Sequence, residues 1–212
     1  MKQYIVCLKY GNKYGPEYVN KLYNMVKRNT TIDYEFVCMT ENISGLDPHI
    51  TILPLETDNK IDIGWWYKIN LFDPNFPLKG TLLFIDLDVI TFNDLDKFFE
   101  YEPGEFVIIE NFHKNHPCIM NSSCFRMESE TYSHVYKEFL ANRTNVMKRF
   151  TGDQDWMNHT IKDNKFWPLD WVRSYKWDMK GDASNPDTSI AVFHGRPNPH
   201  EINTPWSKEH WR

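Results

Sequence analysis

Two aspartates one residue apart, Asp86 and Asp88, close an unbroken apolar run, Leu82-Leu83-Phe84-Ile85. Residues i and i+2 of a strand point to the same side, so both carboxylates can converge on one spot. At the carboxyl end of a buried parallel strand, that spot is where open α/β sheets take ligands. A divalent cation relieves the repulsion between the two charges, and a pair of hard oxygens suits magnesium or manganese. The other reading is a plain turn, because aspartate often follows a strand. Further polar groups stand in similar settings. His194 follows the apolar stretch Ile190 to Phe193, and its neutral ring nitrogen suits an octahedral shell beside two carboxylates. Arg196, two residues on across Gly195, can clamp phosphate oxygens bidentately, or stand as a solvated charge. Asp153, Gln154 and Asp155 open a helical pattern and can hold several hydroxyls at once, though an acid there also caps a helix. Lys68 lies within Trp65-Trp66-Tyr67-Lys68-Ile69-Asn70-Leu71-Phe72, where a lysine either snorkels or answers nearby acids.

The elements that must position these groups alternate. Tyr4 to Leu8, Tyr34 to Met39, Ile50 to Leu53 and Thr81 to Asp86 read as strands. Pro16 can start a helix in which Tyr18, Val19, Leu22, Tyr23 and Val26 share a face. Trp65 to Phe72 reads as a helix stopped by Asp73-Pro74. Strands follow at Phe106 to Glu110, Ile119 to Arg126 and Ile190 to Phe193. Helices are expected from a Ser129 cap to about Asn142 and over Asp153 to Ile161. The pattern predicts an α/β fold with a mixed central sheet flanked by helices, in one domain.

Four blocks of this chain resemble, in order, the glycogenin-like retaining glycosyltransferases (family 8) of the type A, or GT-A, fold. They are WWYKINLF with LLFIDLDVI and NDLDKFF; Met120-Asn121-Ser122-Ser123; Gly152-Asp153-Gln154-Asp155-Trp156-Met157-Asn158; and Phe193-His194-Gly195-Arg196-Pro197, where the family usually has lysine in place of Arg196. The resemblance implies a Rossmann-like GT-A fold, with residues 1–90 as a nucleotide-binding half and 91–212 as a sugar and acceptor half, and transfer of a sugar from a UDP-sugar with retention of anomeric configuration. It implies Mn²⁺ or Mg²⁺ held by Asp86, Asp88 and His194. It also places Lys68, Leu87, Gly195 and Arg196 at the donor, and Asn121 with Asp153, Gln154 and Asp155 around the transferred sugar. Gln154 is expected nearest the anomeric carbon, guiding a same-face displacement, with Asp155 as a possible nucleophile or stabiliser. The strand ends point to Leu8, Lys9, Tyr10 and Thr40 for the nucleotide, and Tyr10 or Tyr14 for stacking on uracil.

Two other classes stay open. A haloacid-dehalogenase-type phosphatase also carries Asp-X-Asp after an apolar strand, but wants Thr or Val where Ile90 stands and usually opens its domain with the motif. A non-catalytic sugar-nucleotide binder would keep the same residues. With 24 basic and 29 acidic side chains, the net charge of −5 gives no reason to expect nucleic acid. No apolar window reaches membrane-spanning length, and the start of the chain reads as no signal peptide, so a cytoplasmic setting is expected. Cys7, Cys38, Cys118 and Cys124 lack metal spacing and are expected as reduced thiols; the five Asn-X-Ser/Thr triplets read as chance. The acceptor, whether saccharide, lipid-linked or protein, is expected between loops 111–118 and 170–188. Trp167, Trp171, Trp177, Trp206 and Trp211 are there to stack on a sugar or pack the core.

Overall fold

The computed structural model describes residues 1–57, 64–181 and 183–212. Four apolar runs form a parallel array: β1 (Gln3–Lys9), β2 (Glu35–Thr40), β3 (Thr51–Pro54) and β4 (Thr81–Ile85). β1 lies in the middle, pairing β2 through Val6↔Val37 and β4 through Val6↔Phe84. Two further strands, β6 (Val107–Glu110) and β7 (Met120–Glu128), with the two-residue β8 (Lys165–Phe166), complete a seven-stranded sheet in the order β3-β2-β1-β4-β7-β6-β8. β7 is antiparallel to both β4 and β6, so the sheet is mixed, as the pattern predicts.

The period-two alternation of a strand splits the core in two. Ile5, Cys7, Cys38, Leu83 and Ile85 face a core that includes α1 (Pro16–Asn29), which buries Tyr18, Val19, Leu22, Met25 and Val26. Tyr4, Val6, Val37, Leu82 and Phe84 face the opposite core, shared with α3 (Ser133–Arg149) and α4 (Asp153–Thr160). A short α2 (Lys97–Glu100) lies between β4 and β6 in the chain.

Three expectations shift. WWYKINLF is a 3₁₀ helix over Gly64–Phe72. It buries residues on every side, Trp66, Tyr67, Lys68, Ile69, Leu71 and Phe72, so packing from both flanks rather than one apolar stripe sets its geometry. The helix expected from Ser129 to Asn142 begins instead at Ser133 and runs on to Arg149 across a non-helical Asn142. Val146, buried beyond the break, holds the continuation to the core.

A second, smaller sheet had only one strand foreseen. The chain leaves β4 through Asp86-Leu87-Asp88 and enters β5 (Val89–Thr91). β5 pairs antiparallel with β10 (Ile190–Val192), which pairs in parallel with β9 (Val172–Ser174). A π-helical turn (Tyr175–Met179), a 3₁₀ turn (Pro199–Glu201) and α5 (Pro205–His210) complete the tail. Among the described residues, no helix is long and apolar enough to cross a membrane.

Candidate active site

The hollow at the end of β4 grows out of these pairings. β4 stops at Ile85, and Asp86 N donates to the Ser123 carbonyl at 2.8 Å, which keeps the aspartate against β7. β10 meets β5 with Val192 opposite Val89, and Phe193 N donates to the Asp88 carbonyl at 2.9 Å. That register carries His194, about a hundred residues away in sequence, to the same edge. The first turn of α4 supplies Asp153, Gln154 and Asp155, and the 3₁₀ helix supplies Lys68. The resulting cavity of ≈ 580 Å³ has the size of a small-molecule site.

Of the sequence-predicted residues, Leu8, Tyr10, Tyr14, Lys68, Asp86, Leu87, Asp88, Asn121, Asp153, Gln154, Asp155 and His194 all line this cavity. Lys9, Thr40, Gly195 and Arg196 do not. Lys9 is buried beside Thr40 in the β1–β2 pair, between Leu8 and Tyr10, which reach the hollow. Thr40 uses its hydroxyl locally, donating to the Asn42 carbonyl and accepting from Asn42 N. The Arg196 side chain is 86% exposed and lies 3.5 Å from Glu201. Lys176 is the cation that reaches this corner, donating from Nζ to the His194 carbonyl at 2.6 Å. Lys13, Trp65, His116, Ser122, Ser123 and Thr151 also line the cavity and were not singled out in sequence. Trp65 is 44% exposed there, whereas Trp66 and Tyr67 beside it are buried in the core.

The charges are locked together. Lys68 is buried, with Nζ 2.9 Å from Asp86 Oδ1 and 3.7 Å from Asp153 Oδ2, and it donates to the Ser122 hydroxyl at 3.3 Å. Burial pulls the Lys68 ammonium down, but Asp153 and Asp86 outweigh that and raise it overall. Burial pushes the Asp153 carboxyl up against the pull of Lys68. Asp88 is pushed up to about 6, by burial first and by the Asp86 charge second. Tyr14, expected to stack on a base, instead donates its hydroxyl to Asp88 Oδ2 at 2.8 Å and packs its ring on Tyr18. Asp88 Oδ1 stays outside that bond. His194 is lowered to about 4, chiefly by burial and then by Lys176, so its ring is neutral at pH 7. Its Nε2 lies 2.7 Å from the Ser174 hydroxyl. With the proton on Nε2 toward Ser174, Nδ1 offers a lone pair, the way a metal-binding histidine is oriented by an outer partner.

A cation fits this donor set. Hard oxygens of Asp86 and Asp88 with a neutral imidazole suit Mn²⁺ or Mg²⁺, and the raised Asp88 marks a like-charge pair that a cation relieves. Asp86, Asp88 and His194 are each engaged by a protein partner. Among the described residues, the trio of metal-ligating side chains whose ligand atoms all fall within 4.8 Å of one another is His116, Cys118 and Asp155. All four cysteines are free and buried, as expected.

A second hollow of ≈ 380 Å³ lies between Phe112 and Lys114 on one side and Asp170, Arg173, Trp177 and Lys180 on the other. Trp177 is 43% exposed, with its ring centroid 4.2 Å from that of His194, so this hollow abuts the wall of the first. Trp167 is buried, and Trp171, Trp206 and Trp211 pack against the core. A third hollow of ≈ 1120 Å³ opens beyond the Tyr10–Tyr67 ring pair, and its described lining residues include none of the clustered aspartates.

No protein-family model matches the chain, and no curated protein matches it in sequence. Its backbone does match solved structures. The glycosyltransferase GlyE of Streptococcus pneumoniae TIGR4 superposes with TM-score 0.74 at 12% identity, over 98% of this chain and 60% of GlyE. The galactosyltransferase LgtC, solved with donor and acceptor sugar analogues, gives 0.70 at 13% identity, over 97% of this chain and 93% of LgtC. The bifunctional glycosyltransferase WbbM gives 0.65 at 15%, over 98% of this chain and 51% of WbbM. The chain thus spans about three-fifths of GlyE and half of WbbM. It has the GT-A glycosyltransferase fold, and its central sheet, seven-stranded among the described residues, is mixed, as the sequence pattern predicts.

Proposed function

We propose that the chain is a metal-dependent glycosyltransferase that takes a sugar from a UDP-sugar and transfers it with retention. One observation carries the reading: among the described residues, the hollow gathers Asp86, Asp88, Asp153 and Asp155 against Lys13 and Lys68 as its fixed cations. A nucleotide diphosphate entering such a site is repelled unless a divalent cation comes with it. Asp86, Asp88 and His194 are the residues that would hold Mn²⁺ or Mg²⁺, and the metal would neutralise charge on the departing UDP. Lys68 holds Asp86 and Asp153 in place and adds positive charge beneath the phosphates.

Asn121, Asp153 and Gln154 bind sugar hydroxyls, and the Gln154 amide lies nearest the reacting carbon. An amide is a poor nucleophile, so it orients a same-face displacement by hydrogen bonding, with Asp155 beside it to stabilise developing positive charge. LgtC has an active-site glutamine, as its Gln-to-Glu mutant records, which supports this role for the glutamine of the present hollow. The acceptor, a saccharide on a free, lipid or protein carrier, approaches through the neighbouring hollow, with Trp177 as a stacking face.

The test is a thermal-shift screen of UDP-, GDP- and CMP-sugars with and without Mn²⁺, followed by product analysis. Stabilisation by a UDP-sugar only with Mn²⁺, then release of UDP and formation of a product whose anomeric configuration matches the donor's, is the expected result. Stabilisation by no nucleotide, or full activity in Asp88→Ala, overturns the proposal. Release of phosphate from a simple phosphomonoester favours the phosphatase class instead.

A further inference from the structure

The trio His116, Cys118 and Asp155 stands at the rim of the donor hollow, apart from Asp86 and Asp88. It joins two segments: the loop after β6, carrying His116 and Cys118, and the first turn of α4, carrying Asp155. Four observations converge on it. Its nitrogen, sulfur and oxygen ligand atoms all lie within 4.8 Å of one another, which the paired aspartates and His194 do not achieve. Asp155 Oδ2 accepts from Thr151 N at 3.1 Å, while Oδ1 is shielded from water, and the Asp155 carboxyl faces the Cys118 thiol, which burial first and that carboxyl next push up to about 12. The His116 ring is anchored through Nδ1, which lies 3.1 Å from Cys118 N and 3.4 Å from the Cys118 carbonyl. As it stands, Nδ1 accepts from Cys118 N and the neutral ring holds its proton on Nε2; exchange with solvent to the Nδ1–H tautomer, directed at the Cys118 carbonyl, gives Nε2 to a ligand. Cys118 Sγ sits 3.3 Å from the Met120 carbonyl and 3.7 Å from that of Gln154, so its position is tied to the residue beside the reacting sugar.

We propose that His116, Cys118 and Asp155 form a second metal site, selective for Zn²⁺ over the hard cations of the donor site. One imidazole, one thiolate and one carboxylate make a borderline-soft set, and three protein ligands leave a fourth, tetrahedral position for water. Binding forms a Zn–S bond, breaks the Cys118 S–H bond and releases that proton to solvent, with no change of oxidation state. His116 is exposed and gives the ion an entry path, while Cys118 is buried behind it. Occupancy ties the 111–118 loop to α4 and pins Asp155 away from the sugar, so Zn²⁺ acts as an inhibitor at the mouth of the hollow. The inhibitory effect rests on the proposed transferase reading, and the binding site does not.

Cobalt tests the site on the full chain, without any sugar nucleotide. Co²⁺ added to the metal-free protein should bind with tetrahedral ligand-field bands and a thiolate-to-cobalt charge-transfer band, which Zn²⁺ then abolishes by displacement. That band should disappear in Cys118→Ser. In His116→Ala the affinity should fall about tenfold or more. An Asp86→Asn/Asp88→Asn double variant should keep the band. Circular dichroism and unfolding curves for each variant exclude loss of fold as the cause. No charge-transfer band in the folded parent, a band that survives Cys118→Ser, or one lost with Asp86 and Asp88 each overturns the proposal. Loss of transferase activity leaves this spectrum untouched, so the two readings fail separately.

Discussion

Replacing Asp88 by Asn should make the metal-free protein more stable while removing its response to Mn²⁺ and UDP. Asp88 is held above the usual carboxylate range because it is partly buried beside Asp86. Moving the carboxyl from 3.8 to about 6 corresponds to about 3 kcal/mol of cost in the ionised folded state at neutral pH. Asp88 is only half-buried at the wall of an open hollow, so solvent screening reduces this to about 1–2 kcal/mol. Asn keeps an oxygen that can accept from the Tyr14 hydroxyl, so that 2.8 Å bond need not be lost. For a chain of this size the gain amounts to a rise in Tm of about 2–8 °C. The sign with pH follows from a raised folded-state carboxyl. Below the unfolded value near 3.8 both states are protonated and the cost is absent. It grows as pH rises toward about 6 and is complete above that. The assay is thermal unfolding of parent and Asp88→Asn in EDTA, at neutral pH and at about pH 4, repeated at neutral pH with Mn²⁺ and UDP. A gain at neutral pH that fades in acid, with no nucleotide-dependent stabilisation of the variant, is expected. An unchanged or lower Tm at neutral pH, or a gain of equal size in acid, would refute the electrostatic reasoning.

Other outcomes follow from the same geometry. Lys68→Met leaves the buried Asp153 and Asp86 without their shared cation and should cost about 3–5 kcal/mol in urea unfolding, part of which Lys68→Met/Asp153→Asn should restore. Arg126 is fully buried and donates to the carbonyls of Phe98, Phe99, Tyr101, Glu102 and Glu105. Arg126→Met strips these acceptors together, and a loss of at least about 3 kcal/mol at unchanged m-value is expected. Gln154→Ala should lower kcat about a hundredfold while KM for the UDP-sugar changes little, as measured by UDP release. Ser174→Ala removes the partner of His194 Nε2 and should weaken the Mn²⁺-dependent gain in Tm about tenfold in apparent metal affinity.

Much of this molecule was legible in one dimension. The continuous apolar runs of β1, β2 and β4 dictate strands buried on both faces, and their period-two side chains sort into the two cores without reference to any partner. Asp86 and Asp88 just past the end of β4, and the polar triplet at the start of α4, mark the hollow in sequence, although the bend between β4 and β5, and not strand alternation, turns the two aspartates to it.

Other features depend on contacts between segments far apart in the chain. His194 reaches the aspartates through the pairing of β5 with β10, in which Phe193 N meets the Asp88 carbonyl, and no local pattern encodes that register. The same distance hid the roles of Tyr14 and Ser174, whose hydroxyls look ordinary until Asp88 and His194 arrive beside them. Arg196 has the chemistry of a phosphate clamp but sits on the outer side of its turn with Glu201, while Lys176 takes the inner corner. His116, Cys118 and Asp155 are separated by up to thirty-nine positions and share no motif, so only the approach of the β6–β7 loop to α4 assembles them. Side-chain type and strand or helix period determined which groups could do chemistry. Long-range pairing decided which of them meet, because bringing distant residues together is a property of the folded chain as a whole.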